Sequence, residues 1–249
     1  MTKASSKIKT VGITGASGNI GTTLSDGLAE KYQLTLYDIR EAPKSAKGRF
    51  MKVDCAKREE LKGSFEGLDA IIHLAGDPRP NAPRQLTLRN NFVGTSYVFE
   101  EAMRAGIKKI VYASSNFYHE GSIREALTGQ LKKRITLDMP PTPQSLYGQS
   151  KVFGETIGLH LSYLGVQFAA LRIGWTVPED NPAVYASDYM QAVFISKRDL
   201  VQAFDKALNI DTDFLVAFAV SDNDSGVFDL TETKAKLGFR PQDNSEKYS

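Results

Sequence analysis

From Ile8 onward the chain alternates short apolar runs with longer stretches of helical period, the pattern of β-α-β units that build a parallel sheet. Residues 9–14, 33–37, 49–53, 70–74, 109–113, 167–173 and 214–220 read as strands. Residues 20–31, 57–65, 85–105 and 146–164 read as helices, each long enough for a right-handed crossover. A doubly wound α/β sheet is the expected architecture. With 249 residues, 41% of them apolar, the chain fits one large domain over residues 1–249 better than two ordinary ones. Residues 116–145 break the rhythm: Gly121, Gly129 and the Pro140-Pro141-Thr142-Pro143 cluster predict a long connection rather than a helix or central strand. Long loops at a strand's carboxyl end usually cover a site in such sheets.

Charge excludes some partners. Lysine and arginine total 31 against 29 acidic residues, so the chain lacks the electrostatic footprint of a nucleic-acid binder. The run Lys132-Lys133-Arg134 reads as a solvated loop. One cysteine, Cys55, forms no internal disulfide and reads as a small packed side chain; no Cys/His spacing suggests a metal site. A reducing, cytoplasmic setting is expected. Residues 1–10 are polar and lysine-bearing, with the character of a frayed tail rather than a signal peptide or membrane anchor.

The first strand runs straight into Thr14-Gly15-Ala16-Ser17-Gly18-Asn19-Ile20-Gly21, which opens a helix. In such an array Gly15 allows the tight turn, Gly18 lets backbone N–H groups approach a pyrophosphate, and Gly21 lets helix and strand pack closely. Asp38 ends the second strand, where a carboxylate accepts hydrogen bonds from ribose hydroxyls and repels a 2′-phosphate. Strand, glycine turn, helix and acidic residue together predict a Rossmann dinucleotide site that prefers NAD to NADP. Arg40 either faces solvent, covers the adenine or receives a 2′-phosphate. Asp54 is placed to meet the adenine edge, to cap the helix expected at 57–65, or both.

Tyr147 and Lys151 stand four residues apart at a helix start, so both project from one face. A lysine ammonium beside a phenol is expected to lower its pKa enough for it to take a proton from a hydroxyl near neutral pH. The strand at 109–113 leads into Ser114-Ser115, bringing hydroxyls to the same sheet edge. With His73-Leu74-Ala75-Gly76 and Asn90-Asn91-Phe92-Val93-Gly94-Thr95, these motifs resemble the extended short-chain dehydrogenase/reductases over nearly the whole chain. The resemblance implies Tyr147 as general base, Lys151 as its partner and ribose ligand, and Ser115 as the hydroxyl that holds the reacting oxygen. It also implies a cofactor site of Gly15, Ser17, Gly18, Asn19, Ile20, Gly21, Asp38, Ile39, Asp54, Leu74, Ala75, Gly76, Asn91 and Ile173, with Asn91 ordering the sheet edge.

About a hundred residues follow Lys151, too few to finish the sheet and hold a nucleotide-sugar as well, so a small substrate is implied. The chain is most similar to the compact NAD-dependent sugar dehydrogenases, the uronate and archaeal glucose-6-phosphate enzymes, which oxidise the anomeric carbon to a lactone. The matching segments include Ala113-Ser114-Ser115-Asn116, Leu171-Arg172-Ile173-Gly174, Val220-Ser221-Asp222-Asn223-Asp224 and Pro241-Gln242-Asp243-Asn244-Ser245. Residues 116–145 and 175–249 would supply the substrate portion. Phe117 stands where the subgroup has histidine and Trp175 where it has a small polar residue, and residues 178–190 lack the uronate-holding arginine. The candidate substrate contacts are Arg79, Ser115, Asn116, Phe117 and Trp175. Arg79 either anchors an anionic sugar or pairs with Asp77; the two aromatics either stack on the sugar or fill the pocket. His119 and His160 read as loop and helix-surface residues. The expected activity is NAD-dependent oxidation of an aldohexose or hexose 6-phosphate. A uronate dehydrogenase, a sugar epimerase or dehydratase, and a non-catalytic NAD sensor are the alternatives. No nucleic-acid or membrane partner is expected, and a homo-oligomer is left open.

Overall fold

The computed structural model describes residues 7–41 and 45–248. Of the expected frayed tail, residues 1–6 lie outside the described residues. The strands are β1 Thr10–Thr14, β2 Gln33–Asp38, β3 Arg49–Lys52, β4 Ala70–His73, β5 Lys109–Ser115, β6 Gln167–Ile173 and β7 Phe214–Ala219. They form one parallel sheet in the order β3-β2-β1-β4-β5-β6-β7. Each expected strand is present, with its ends unchanged or moved by at most two residues. The strand order reverses between β1 and β4, and a ligand crevice opens at the carboxyl ends beside such a point.

Alternation along the strands divides the core into two layers. On one face Val11, Ile13, Ile72, Val111, Ala169 and Leu171 pack with α1 (Asn19–Leu28) and α8 (Lys197–Asn209). On the other, Ile71, Ile110, Tyr112, Phe168 and Ala170 face α4 (Gly94–Arg104) and α6 (Leu146–Tyr163). Helix α6 lies close against the sheet because of two glycines one turn apart. A Cβ on Gly154 would run into the Tyr112 ring, and one on Gly158 into the Phe168 ring. That close approach fixes the height at which the start of α6 meets the ends of β5 and β6.

The expected helix at 57–65 is only α2, Arg58–Leu61, followed by turns. The stretch read as one helix at 85–105 is α3 (Arg84–Thr87), a π-helical segment Leu88–Val93, and α4 in unbroken succession. Residues 116–145 are not the structureless connection expected. Asn116–His119 form a 3-10 turn and Glu120–Leu127 form α5. Gly121 is tolerated in the first turn of α5 because the chain at Thr142 crosses it, with the Thr142 carbonyl 3.2 Å from where a Cβ would sit. Helices α7 (Asp188–Val193) and α9 (Thr231–Leu237) complete the chain. A third apolar cluster, with Ile123, Ile135, Val193, Phe218 and Phe228, joins the 116–145 and 175–249 segments into one flank. There Asp199 accepts from the Ser221 hydroxyl (2.7 Å) and from the backbone N–H of Gln242 and Asp243 (2.8 and 3.1 Å). The two acidic motifs near the C-terminus are thereby stapled to α8, away from the crevice. No helix among the described residues is long and apolar enough to cross a membrane.

Candidate active site

A crevice of about 760 Å³ runs along the carboxyl ends of the strands. At its floor the backbone turns sharply after β1: Gly15 has φ +73°, and a Cβ there would lie 2.7 Å from the Ala75 nitrogen. Gly21 is needed for close approach, since a Cβ would stand 2.5 Å from the Gly15 carbonyl. Gly18 takes the position before α1 without a capping side chain, and no acidic residue occupies the first turn. The first N–H groups of a ten-residue helix are left facing the crevice, as a pyrophosphate requires.

Asp38 is buried, 6% exposed, and its carboxylate accepts from the N–H of Ser17 and of Arg40, both at 2.9 Å. The Arg40 guanidinium turns back to 3.5 Å from the same carboxylate. Its end lies 3.9 Å from where a Cβ on Gly18 would be, so it covers the glycine turn. Together the turn, the bare helix end and the carboxylate fit a dinucleotide. A 2′-phosphate beside the Asp38 carboxylate would cost about 2–3 kcal/mol if left unpaired. We therefore expect kcat/KM with NAD to exceed that with NADP by roughly a hundredfold, and comparable values would remove Asp38 from cofactor choice.

Every residue predicted for the cofactor or substrate lines this crevice except Ser17 and Asn91. Ser17 stands behind the wall, its N–H spent on Asp38 and its hydroxyl on the Glu41 carbonyl (3.1 Å). Asn91 is 3% exposed and braces the turn after β4: its Oδ1 accepts from Asp77 N–H (2.7 Å), and its Nδ2 donates to the Asp77 carbonyl (2.9 Å) and the Ser150 hydroxyl (3.3 Å). Asp54 lines the crevice but caps no helix. It accepts from Ala56 N–H at 2.9 Å and pairs with Arg89, while α2 starts four residues on behind Lys57, which offers no capping side chain. Crevice residues that sequence reasoning missed include Asn90, Thr176 and Pro178. Thr176 accepts a hydrogen bond from Asn19 Nδ2 at 3.0 Å, linking the glycine turn to the chain beyond β6.

At the other end of the crevice, Ser145 caps α6 by accepting from Gly148 N–H at 3.1 Å, which sets Tyr147 in the first turn and Lys151 in the second. Lys151 is 8% exposed; its Nζ donates to the Ala113 carbonyl at 2.9 Å and lies 5.3 Å from the Tyr147 ring centroid. Burial pushes the ammonium down to about 8. Burial raises the Tyr147 phenol above its ordinary value, and the Ser115 hydroxyl beside it acts in the opposite direction. The Lys151 ammonium, engaged on the Ala113 carbonyl, faces the same ring. The Ser115 hydroxyl donates to Asn116 Oδ1 (3.1 Å) and accepts from Phe117 N–H (3.2 Å), while Asn116 Nδ2 donates to the Tyr189 hydroxyl (2.6 Å). Phe117 meets Tyr147 edge-on at 5.5 Å; Trp175, 42% exposed, meets Tyr189 edge-on at 5.8 Å. Both aromatics stand as walls of the crevice and do not fill it.

Behind this wall lies a charged network that the sequence did not disclose. Glu155, one turn beyond Lys151, accepts from the Ser114 hydroxyl (2.5 Å) and takes Arg172 bidentately (3.0 and 2.9 Å). Arg172 also donates to His119 Nε2 at 2.8 Å. His119 is therefore a fully buried core residue, not a loop residue; His160 lies exposed on α6 as expected.

Fold and site define an NAD-dependent enzyme of the extended short-chain dehydrogenase/reductase type. Residues 11–177 match the model of the NAD dependent epimerase/dehydratase family, and the chain belongs to that family. NAD is its cofactor. The chain is 32% identical to the NAD-dependent glucose-6-phosphate dehydrogenase of Haloferax volcanii, over 95% of this chain and 94% of the relative. It is 31% identical to the L-arabinose 1-dehydrogenase (NAD(P)(+)) of the same organism, over 94% and 97%. Among solved structures, a mutant of uronate dehydrogenase from Agrobacterium tumefaciens, complexed with NAD, superposes with a TM-score of 0.81 at 28% identity, covering 96% of this chain and 87% of that one.

Proposed function

We propose that this protein is a dehydrogenase that oxidises the anomeric hydroxyl of a small sugar, an aldohexose or hexose 6-phosphate, to the lactone. The observation that carries this reading is the meeting of Ser115, Tyr147 and Lys151 at one end of a dinucleotide crevice whose walls there are Asn116, Phe117 and Trp175. NAD, when bound, supplies the hydride acceptor. Tyr147 takes the proton of the anomeric hydroxyl, and Ser115, held between Asn116 and Phe117, orients that oxygen. Lys151, on the same side of α6, supplies a cation beside the phenol and a donor for ribose. The 116–145 and 175–249 segments form the substrate portion. The sugar-oxidising activities in the names of the relatives support the same reaction class.

The test is net reduction of NAD, followed by absorbance, across neutral hexoses and pentoses, hexose phosphates and uronic acids. One NADH per sugar consumed, with lactone as product, is the expected result. Sugar conversion without net NADH would instead make the protein an epimerase or dehydratase.

A further inference from the structure

Among the described residues that line the crevice, the cations are Arg40, Arg79 and Lys151. Each is already engaged. Arg40 folds onto Asp38 at the adenosine end, and Lys151 donates to the Ala113 carbonyl at 2.9 Å. Arg79 is held by three hydrogen bonds to one carboxylate: its Nε to Asp77 Oδ1 (2.9 Å), its terminal nitrogen to Oδ2 (2.6 Å) and its backbone N–H to Oδ1 (3.1 Å). The Arg79 side chain is 60% exposed, but its Asp77 partner is only 7% exposed. The arginine keeps the Asp77 carboxyl below its ordinary range, so the pair is fully ionised and neutral as a unit.

The Asp77 backbone is held in place. Asn91 grips its N–H and carbonyl (2.7 and 2.9 Å) and bonds Ser150 (3.3 Å), whose hydroxyl donates to the Tyr147 carbonyl (2.6 Å). The pair is thereby fixed to the first turn of α6, at the reacting end of the crevice. A sugar carboxylate or phosphate would meet a guanidinium whose charge is already cancelled, and taking it bidentately through Nε and the paired terminal nitrogen would leave a nearly buried carboxylate unpaired, which is strongly unfavourable. An uncharged sugar needs no such exchange. It finds aromatic faces in Phe117 and Trp175.

We propose that Asp77 is a specificity-determining residue: by cancelling the charge of Arg79 it reserves the site for an uncharged aldose and excludes uronates and sugar phosphates. This rests on the sugar-dehydrogenase reading above and narrows it from an aldohexose or hexose 6-phosphate to the uncharged sugar. The experiment measures kcat/KM for glucose, galactose, arabinose and xylose beside glucose 6-phosphate, glucuronate and galacturonate, at fixed NAD, in four proteins: wild type, Asp77→Asn, Arg79→Gln and the double variant. Wild type is expected to favour neutral sugars at least tenfold over their charged counterparts. Asp77→Asn, which frees the guanidinium, raises the charged-to-neutral ratio at least tenfold, and the double variant loses that gain. Wild type favouring a charged sugar over its neutral parent overturns the proposal, and this arm needs no variant to fold. So does a ratio unmoved in a folded, NAD-binding Asp77→Asn protein. If no sugar in the panel reduces NAD although NAD binds, the parent reading itself has failed and takes this one with it.

Discussion

Tyr147→Phe is expected to lower turnover by roughly 10²–10⁴, the span typical of losing a general acid or base. NAD affinity should hold. The substitution removes one oxygen and keeps the ring that Phe117 meets at 5.5 Å and that Lys151 faces at 5.3 Å, so the first turn of α6 has no reason to rearrange. Lys151 keeps its bond to the Ala113 carbonyl. Steady-state turnover with the best sugar of the panel, together with a fluorescence titration of NADH, checks both halves of the expectation. Turnover that survives the change would take Tyr147 out of the mechanism.

The second large effect is on stability in acid. His73 is 1% exposed, with Nδ1 at 2.7 Å from the Thr14 hydroxyl and Nε2 at 3.0 Å from that of Thr95. His119 is 0% exposed and accepts from Arg172 through Nε2, which leaves the proton on Nδ1, an atom without a partner. Burial lowers both to about 3 from 6.5, with Lys151 adding to the effect on His73 and Arg172 to that on His119. Between those values the unfolded chain binds protons that the folded protein refuses. Folding stability is therefore full above pH 6.5 and is lost as pH falls toward 3, each histidine contributing up to about 1.4 kcal/mol per pH unit inside the window. Urea unfolding from pH 7 to 4.5 reads the slope directly. In His119→Gln the part due to that histidine should vanish; an unchanged slope would show that its protonation is not coupled to unfolding.

Much of the frame was legible because its signals are local. Seven apolar runs of strand length gave the sheet, and glycines at fixed spacing gave the dinucleotide turn, since their roles follow from backbone geometry alone. Helix α8 escaped notice although Ser196 and Asp199 mark its start: the Ser196 hydroxyl accepts from Asp199 N–H at 3.1 Å, the first half of a capping box. Helix α5 was hidden by Gly121, whose reason for being there is the crossing of Thr142, a contact with a distant part of the chain. The network of Ser114, Glu155, Arg172 and His119 was illegible for the same reason, because its members come from four elements and no spacing joins them. Arg79 was legible as a candidate; its state was not, since only the fold shows that Asp77 is pinned beside it.

The last two residues of β5 are chemically identical, yet they live in different worlds. Strand geometry sends neighbours to opposite faces, so the Ser115 hydroxyl lies beside the Tyr147 phenol while that of Ser114 donates to Glu155. In the pairing of β5 with β6, Ser114 stands opposite Arg172 and Ser115 opposite Ile173. A slip of a single residue would exchange the two hydroxyls and present the wrong one to the phenol of Tyr147. What stands against that error is the rest of the strand, since the same slip would carry Val111 and Ala113 out of one core layer and Ile110 and Tyr112 out of the other. Which of two equal serines faces the phenol is thus decided by their apolar neighbours.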